Sequence, residues 1–151
     1  MPGSIMRIAG IDFGTVRIGI ATADLAVGIA GPYETYARRN ERLDAEYFRC
    51  FASEERIGRF VIGLPVHTSG HESQKSAEAR TFGAWLHELT GVPVEYFDER
   101  YTSAEAEALL LEAGLTSKRR KQRLDQLAAQ IMLTAYLESG AKGQDSLESI
   151  D

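Results

Sequence analysis

The sequence predicts an α/β fold, a five-stranded mixed sheet flanked by helices, and three observations lead there. Two short apolar, β-branched runs, Ile8 to Phe13 and Ile18 to Ala23, flank a Gly14-Thr15 turn and read as an antiparallel hairpin. Gly28 to Tyr36 follows as a third strand of this antiparallel meander, with Pro32 suited to a sheet edge. Beyond it, helical and strand periods alternate, which requires parallel strands joined by covering helices.

In order along that second half, Leu43 to Glu55 carries Leu43, Tyr47, Phe48, Cys50 and Phe51 at helical spacing, and Cys50 is expected there as a small core residue. Phe60-Val61-Ile62-Gly63-Leu64, ended by Pro65, is the continuous apolar run of a strand covered on both faces. Val66 to Glu72 is polar, holds Gly70 and reads as a mobile loop. A helix from about Ser73 places Ala79, Phe82, Leu86 and Leu89 on one stripe, with Trp85 beside it as a core residue, and Thr90-Gly91 closes it. Val92 to Phe97 is a strand that runs into Asp98-Glu99-Arg100. Thr102-Ser103-Ala104-Glu105 has capping-box spacing and opens a helix ending near Gly114. The last helix runs from about Ser117 to about Ser139. Its main apolar stripe reads as Leu124, Leu127, Ala128, Ile131 and Ala135, widened on one flank by Ala129, Met132 and Tyr136. One domain over residues 7–139 is expected, with disordered tails at 1–6 and 140–151.

At 151 residues, 44% hydrophobic and 26% charged, the chain can bury a core without staples. Its single cysteine excludes an internal disulfide, in keeping with a reducing compartment. No apolar run approaches membrane-spanning length and no signal-peptide pattern opens the chain, so a cytoplasmic protein without a membrane partner is expected. A net charge of −5 argues against binding nucleic acid by overall charge. Two basic clusters, Arg38, Arg39 and Arg42, and Lys118-Arg119-Arg120-Lys121 with Arg123, read first as solvated faces, though local patches can still engage phosphates.

Asp12 ends a strand that is otherwise apolar or glycine, and a buried carboxylate there needs a partner, a hydrogen bond or a cation. The plainer alternative is an acid that accepts backbone N–H bonds in its own turn. Asp98 and Glu99 follow a strand whose carboxyl end is where ligands gather in parallel sheets. Strand alternation allows only one of them to face Asp12's site, and Glu99 is favoured; the alternative is that both acids favour the N-terminus of the helix beginning at Thr102. Asp125 projects roughly one turn before Ala129, on the flank of the last helix's buried arc, so it is neutralised either by an arginine or by a metal. Three such acids form a credible Mg²⁺ or Mn²⁺ site that leaves room for phosphate oxygens and water.

Four ordered motifs closely resemble the YqgF family: Ile11-Asp12-Phe13-Gly14-Thr15-Val16-Arg17-Ile18-Gly19-Ile20-Ala21; Val61-Ile62-Gly63-Leu64-Pro65 with Gly70; Asp98-Glu99-Arg100-Tyr101-Thr102-Ser103-Ala104-Glu105-Ala106; and Asp125-Gln126-Leu127-Ala128-Ala129. These are bacterial ribonuclease H-like proteins described as Holliday-junction resolvases and as pre-16S rRNA nucleases. The resemblance spans roughly Arg7 to Leu137. It implies a ribonuclease H-like fold and Mg²⁺- or Mn²⁺-dependent cleavage of nucleic acid, RNA or DNA, the rRNA role bringing in the pre-ribosomal particle. Asp12, the Asp98-Glu99 pair and Asp125 would carry the ions. Arg17 and Arg100 are then candidates for phosphate contacts, Thr15, Gly63 and Gly70 for close approach of the strand, and Lys118, Arg119, Arg120 and Lys121 for a positive rim. A resolvase cutting paired strands symmetrically would work as a homodimer, whereas an RNA-trimming enzyme would not need one.

His67 and His71 have a separation that zinc ligands sometimes show but lack a cysteine partner, and His87 reads as solvent-facing. Two other functional classes compete with the nuclease. Asp12-Phe13-Gly14-Thr15 also resembles the phosphate loop of actin, Hsp70 and sugar kinases, although this chain is too short for their two domains. A catalytically silent nucleic-acid or ribosome-binding module is the other, but carboxylates facing phosphates would not help such a binder.

Overall fold

The computed structural model describes residues 6–65, 73–99 and 117–139. Five strands, β1 (Arg7–Asp12), β2 (Arg17–Asp24), β3 (Ile29–Ala37), β4 (Ile57–Leu64) and β5 (Val94–Asp98), form one sheet in the order β3-β2-β1-β4-β5. The β1–β2–β3 meander is antiparallel, while β4 and β5 add to β1 in parallel. Three helices accompany it among the described residues: α1 (Glu41–Glu54), α2 (Gln74–Thr90) and α3 (Ser117–Glu138). The expected helix from Thr102, the loop from Val66 to Glu72, and the tails at residues 1–5 and 140–151 lie outside the described residues. No described helix is long and apolar enough to cross a membrane.

Strand alternation divides the sheet into two faces with different contents. Ala9, Ile11, Ile18, Ile20, Phe60 and Ile62 point to the face covered by α1 and α2, where they meet Phe48, Phe51, Phe82 and Leu86. Each fully buried Ile or Phe there contributes about 1.5–3 kcal/mol over its exposed state. Ile8, Ala21, Ala23, Val61 and Phe97 point the other way, onto α3. Pro32 falls on edge strand β3 next to a register shift opposite Ala21, where a missing ladder donor is tolerated. Ser73 caps α2 by accepting from the Ser76 N–H, and Gly91 ends it in the left-handed conformation.

Two expectations require correction. Cys50 is exposed, because the buried side of α1 runs through Asp44, Phe48 and Phe51 and position 50 falls outside it. On α3 the fully buried residues are Ala129, Met132, Leu133 and Tyr136, so the expected flank is the true core face and the Leu124, Leu127, Ile131 side is half-buried. The physical reason is close approach. Gly10 and Gly19 leave the sheet bare beneath α3, and a Cβ added at Gly10 would stand 3.0 Å from Leu133 Cβ. The small Ala129, not a leucine, suits that seam.

Polar anchors hold α3 at two points. Tyr136 Oη donates to Glu95 (2.8 Å) and accepts from Arg59 Nη1 (2.8 Å), while Arg59 pairs with Glu95 at 3.3 Å. About three turns earlier, in the middle of the helix, Arg17 Nε donates to Asp125 Oδ2 at 2.6 Å. A side chain at Gly19 would overlap the Asp125 carbonyl, whereas one at Gly31 meets nothing within 4 Å. Gly19→Ala is therefore expected to lower unfolding free energy by roughly 1–3 kcal/mol or more through overpacking. Gly31→Ala should stay within about 0.5 kcal/mol of wild type in the same urea titration. Equal stabilities for the two variants would contradict this account of α3 packing.

Candidate functional site

Asp12 closes β1 on the α3 face, in phase with Ile8 and Gly10. Its partner across the ladder is Gly19, the residue over which the α3 backbone passes at Asp125. On the other side of β1 the same alternation turns Gly63, Glu95 and Phe97 toward α3, so Glu99 comes out in phase with Asp12 and Asp98 out of phase. The Glu99 carboxylate lies directly over Gly63, where any side chain would collide with it. Three acids from β1, the end of β5 and α3 thus gather at the carboxyl end of the parallel strands.

Electrostatics marks the gathering. Asp12 is pushed from its ordinary value of 3.8 up to about 7, first by burial and then by the negative charges of Glu99 and Asp125, with Lys75 acting in opposition. Glu99 is also raised, by burial first and then by Asp98. Asp125 is paired with Arg17 at 2.6 Å, the two side chains being 23% and 36% exposed. Arg17 was expected on a phosphate and is found on an acid, since β2 begins directly under the start of the buried part of α3.

The chemistry of the donors fits a hard divalent cation. Asp12 is a half-buried acid facing two further acids, and no hydrogen bond to it is found among the described residues. Among those residues no three acids, imidazoles or thiols lie close enough together to enclose one ion, and Asp125 is held by Arg17.

A cleft of about 290 Å³ opens beside this group, lined by Thr15, Val16 and Arg17, by Lys75 and Glu78 of α2, and by Asp125. Thr15 lies exposed on its rim. Gly63 is covered by Glu99, so its missing side chain makes room for that carboxylate. Gly70, Arg100, His67 and His71 lie outside the described residues, as do the side chains of Lys118, Arg119, Arg120 and Lys121. His87 is exposed and bonds the Val92 carbonyl through Nδ1 at 2.9 Å.

Sequence reasoning missed Lys75, which acts on Asp12 and lines the cleft. The signal was its place in the first turn of α2, where a cation stands against the helix dipole and needs another reason to be there.

A family model described as "RuvX: Holliday junction resolvase" matches residues 6–139. A protein of Rhodopirellula baltica, provisionally named a pre-16S rRNA nuclease, is 46% identical over 133 residues, covering 88% of this chain and 77% of that one. One of Syntrophomonas wolfei with the same name is 39% identical over 140 residues, covering 93% and 99%. Among solved structures, Thermus thermophilus RuvC in complex with a Holliday junction substrate superposes with a TM-score of 0.53 at 18% identity, over 89% of this chain and 96% of that one. The fowlpox virus Holliday junction resolvase gives 0.51 at 11% identity, over 89% and 99%. At these identities the likeness is one of fold, which is ribonuclease H-like.

The raised Asp12 value has a thermodynamic consequence. Between pH 3.8 and about 7 the folded protein keeps a proton that the unfolded chain gives up, so stability falls as pH rises through that window and levels off above it. In chelator, Asp12→Asn is expected to exceed wild type in Tm by a margin that grows from about pH 4 to about pH 7 and then stays constant. A margin independent of pH would show that Asp12 titrates normally.

Proposed function

Because the chain belongs to the RuvX family of Holliday junction resolvases, we propose that it is a divalent-metal-dependent nuclease that hydrolyses phosphodiester bonds in nucleic acid. Maturation of the 5′ end of precursor 16S rRNA, within the pre-ribosomal particle, is the leading role, with cleavage of DNA junctions or single strands as the other. The two roles share one chemistry. What supports the reading most is the meeting of Asp12, Glu99 and Asp125 over the ends of β1 and β4, which leaves Asp12 short of positive charge.

Asp12 and Glu99 would hold Mg²⁺ or Mn²⁺, with Asp125 joining once its bond to Arg17 opens. Such an ion polarises the scissile phosphate and lowers the pKa of a bound water. Asp12, near neutral pH, gives up its proton when a cation takes the place of that proton. Arg17 has two acceptors to choose between. Against Asp125 it silences an acid; against a phosphate its planar fork fits two oxygens at once. Arrival of a phosphate therefore draws Arg17 away and frees Asp125, coupling substrate binding to completion of the acidic set. Lys75, across the cleft, offers a second positive group to the entering backbone. Asp98, out of phase with Asp12, acts on Glu99 through its charge.

The test is cleavage of a labelled precursor 16S rRNA fragment, single-stranded DNA and a four-way DNA junction with Mn²⁺, Mg²⁺ or chelator. At least one substrate should be cut, and only with an ion present. Asp12→Asn, Glu99→Gln and Asp125→Asn should each lose more than the roughly 10–100-fold that outer partners of a metal site cost, with Tm and circular dichroism showing a folded protein. Asp98→Asn should remain within about that range. Cutting in chelator, or full activity in Asp12→Asn, would overturn the reading.

A further inference from the structure

We propose that the hollow between α1 and α2, continuous with the cleft beside Asp125, is the path of an unpaired strand of the substrate, with one of its bases stacked on Trp85. The identity of the strand rests on the nuclease reading; the path rests on three observations of its own.

The first is continuity. The 290 Å³ cleft and a hollow of about 470 Å³ share Phe13, Thr15 and Glu78. That hollow meets a third, of about 430 Å³, at Glu41 and Trp85. The three hollows thus adjoin one another through shared walls, from the Arg17–Asp125 pair to Arg49 on α1, and Trp85 lines the outer two.

The second is an aromatic wall. Phe13 and Phe82 lie 4.8 Å apart by ring centroids, Phe82 and Trp85 5.4 Å. Phe48 backs Trp85 edge-on at 6.3 Å. Trp85 therefore packs against the core on one side, as its helical stripe predicts, while its half-buried ring still lines the groove. Every base offers a π face to such a surface, but a base stacked in a duplex has both faces occupied, so the occupant is unpaired.

The third is charge. In a chain of net charge −5, Arg38, Arg39, Arg42 and Arg49 all line this groove. Of the acids beside them, Asp44 binds Arg38 at 3.2 Å and Glu46 stands 3.9 Å from Arg42, which leaves Glu41 and Glu78. Buried Asp44 also accepts from Tyr36 Oη (2.7 Å) and the Arg39 N–H (3.0 Å). That knot fixes the Arg38 guanidinium 5.3 Å over the Phe13 ring as a rigid wall. Arg39 and Arg49 are exposed and in no ion pair among the described residues, so both are available to phosphates.

The chain has one tryptophan, so its emission reports on this groove alone. With chelator present to prevent cleavage, single-stranded RNA of about twelve nucleotides should quench that emission. An abasic strand of the same length should quench far less, and a blunt duplex not at all. By fluorescence anisotropy, Arg39→Gln and Arg49→Gln should each weaken binding of the same RNA and reduce its log–log salt slope by about 0.7. Trp85→Leu should weaken it roughly five- to 150-fold. Both arginines are on the surface, so their variants keep the test valid if Trp85→Leu fails to fold. No quenching, equal quenching by duplex or abasic strand, or wild-type binding by both arginine variants overturns the path. If quenching is absent while metal-dependent cleavage of that RNA persists, the path fails and the nuclease reading stands. Quenching and arginine dependence, with no cleavage of the precursor rRNA, the single-stranded DNA or the junction in Mn²⁺ or Mg²⁺, would establish the path and defeat the nuclease reading.

Discussion

The candidate site depends on how closely α3 can lie against the sheet. At Gly10 and Gly19 the strands present bare backbone, and the helix settles onto it with Leu133 over one and the Asp125 carbonyl over the other. That contact sets the height of Asp125 above Asp12. A larger residue at either glycine would lift the helix and separate the acids, even though neither glycine carries chemistry of its own. Tyr136, bonded to Arg59 and Glu95, fixes the C-terminal end, so α3 is held from Asp125 to Tyr136 in one orientation.

Close approach brings like charges together, and the structure partly compensates for it. Arg17 pairs with Asp125 and Lys75 opposes the rise in Asp12, yet Asp12 still titrates near 7. Burial and repulsion at one acid are the conditions under which a cation is gained most readily, because its binding relieves both. The neighbouring acid Asp44 shows the contrast. Burial pushes it up, but three hydrogen bonds from Tyr36, Arg39 and Arg38 outweigh that and hold it below the ordinary carboxylate range. The two acids therefore differ in kind: Asp44 is buried, satisfied and structural, whereas half-buried Asp12 is unsatisfied among the described residues.

The two faces of the sheet divide the labour. The α1/α2 face carries the aromatic core and, at its rim, the rings and arginines of the groove. The α3 face carries glycines, alanines and the acids. Alternation by one residue is enough to assign each strand residue to core or site, which is why Asp98 and Glu99, adjacent in the chain, have different surroundings.

The sequence alone determined the strands, their order along the chain, the hairpin whose first strand closes on Asp12 and the caps of α2, because period, β-branching and capping are local properties read within a few residues. Its period-two logic also reached Glu99 as the acid in phase with Asp12. Tertiary structure alone decided the rest. The composition of α3 favours its leucine-rich side as the core, but the glycine seam selects the face with Ala129, Met132, Leu133 and Tyr136. Cys50 looked internal beside Phe48 and Phe51, and the seating of α1 leaves it outside. The Arg17–Asp125 pair joins residues 108 positions apart, and Lys75 reaches Asp12 from another helix. No local pattern encodes such distances; they follow from where packed elements come to rest.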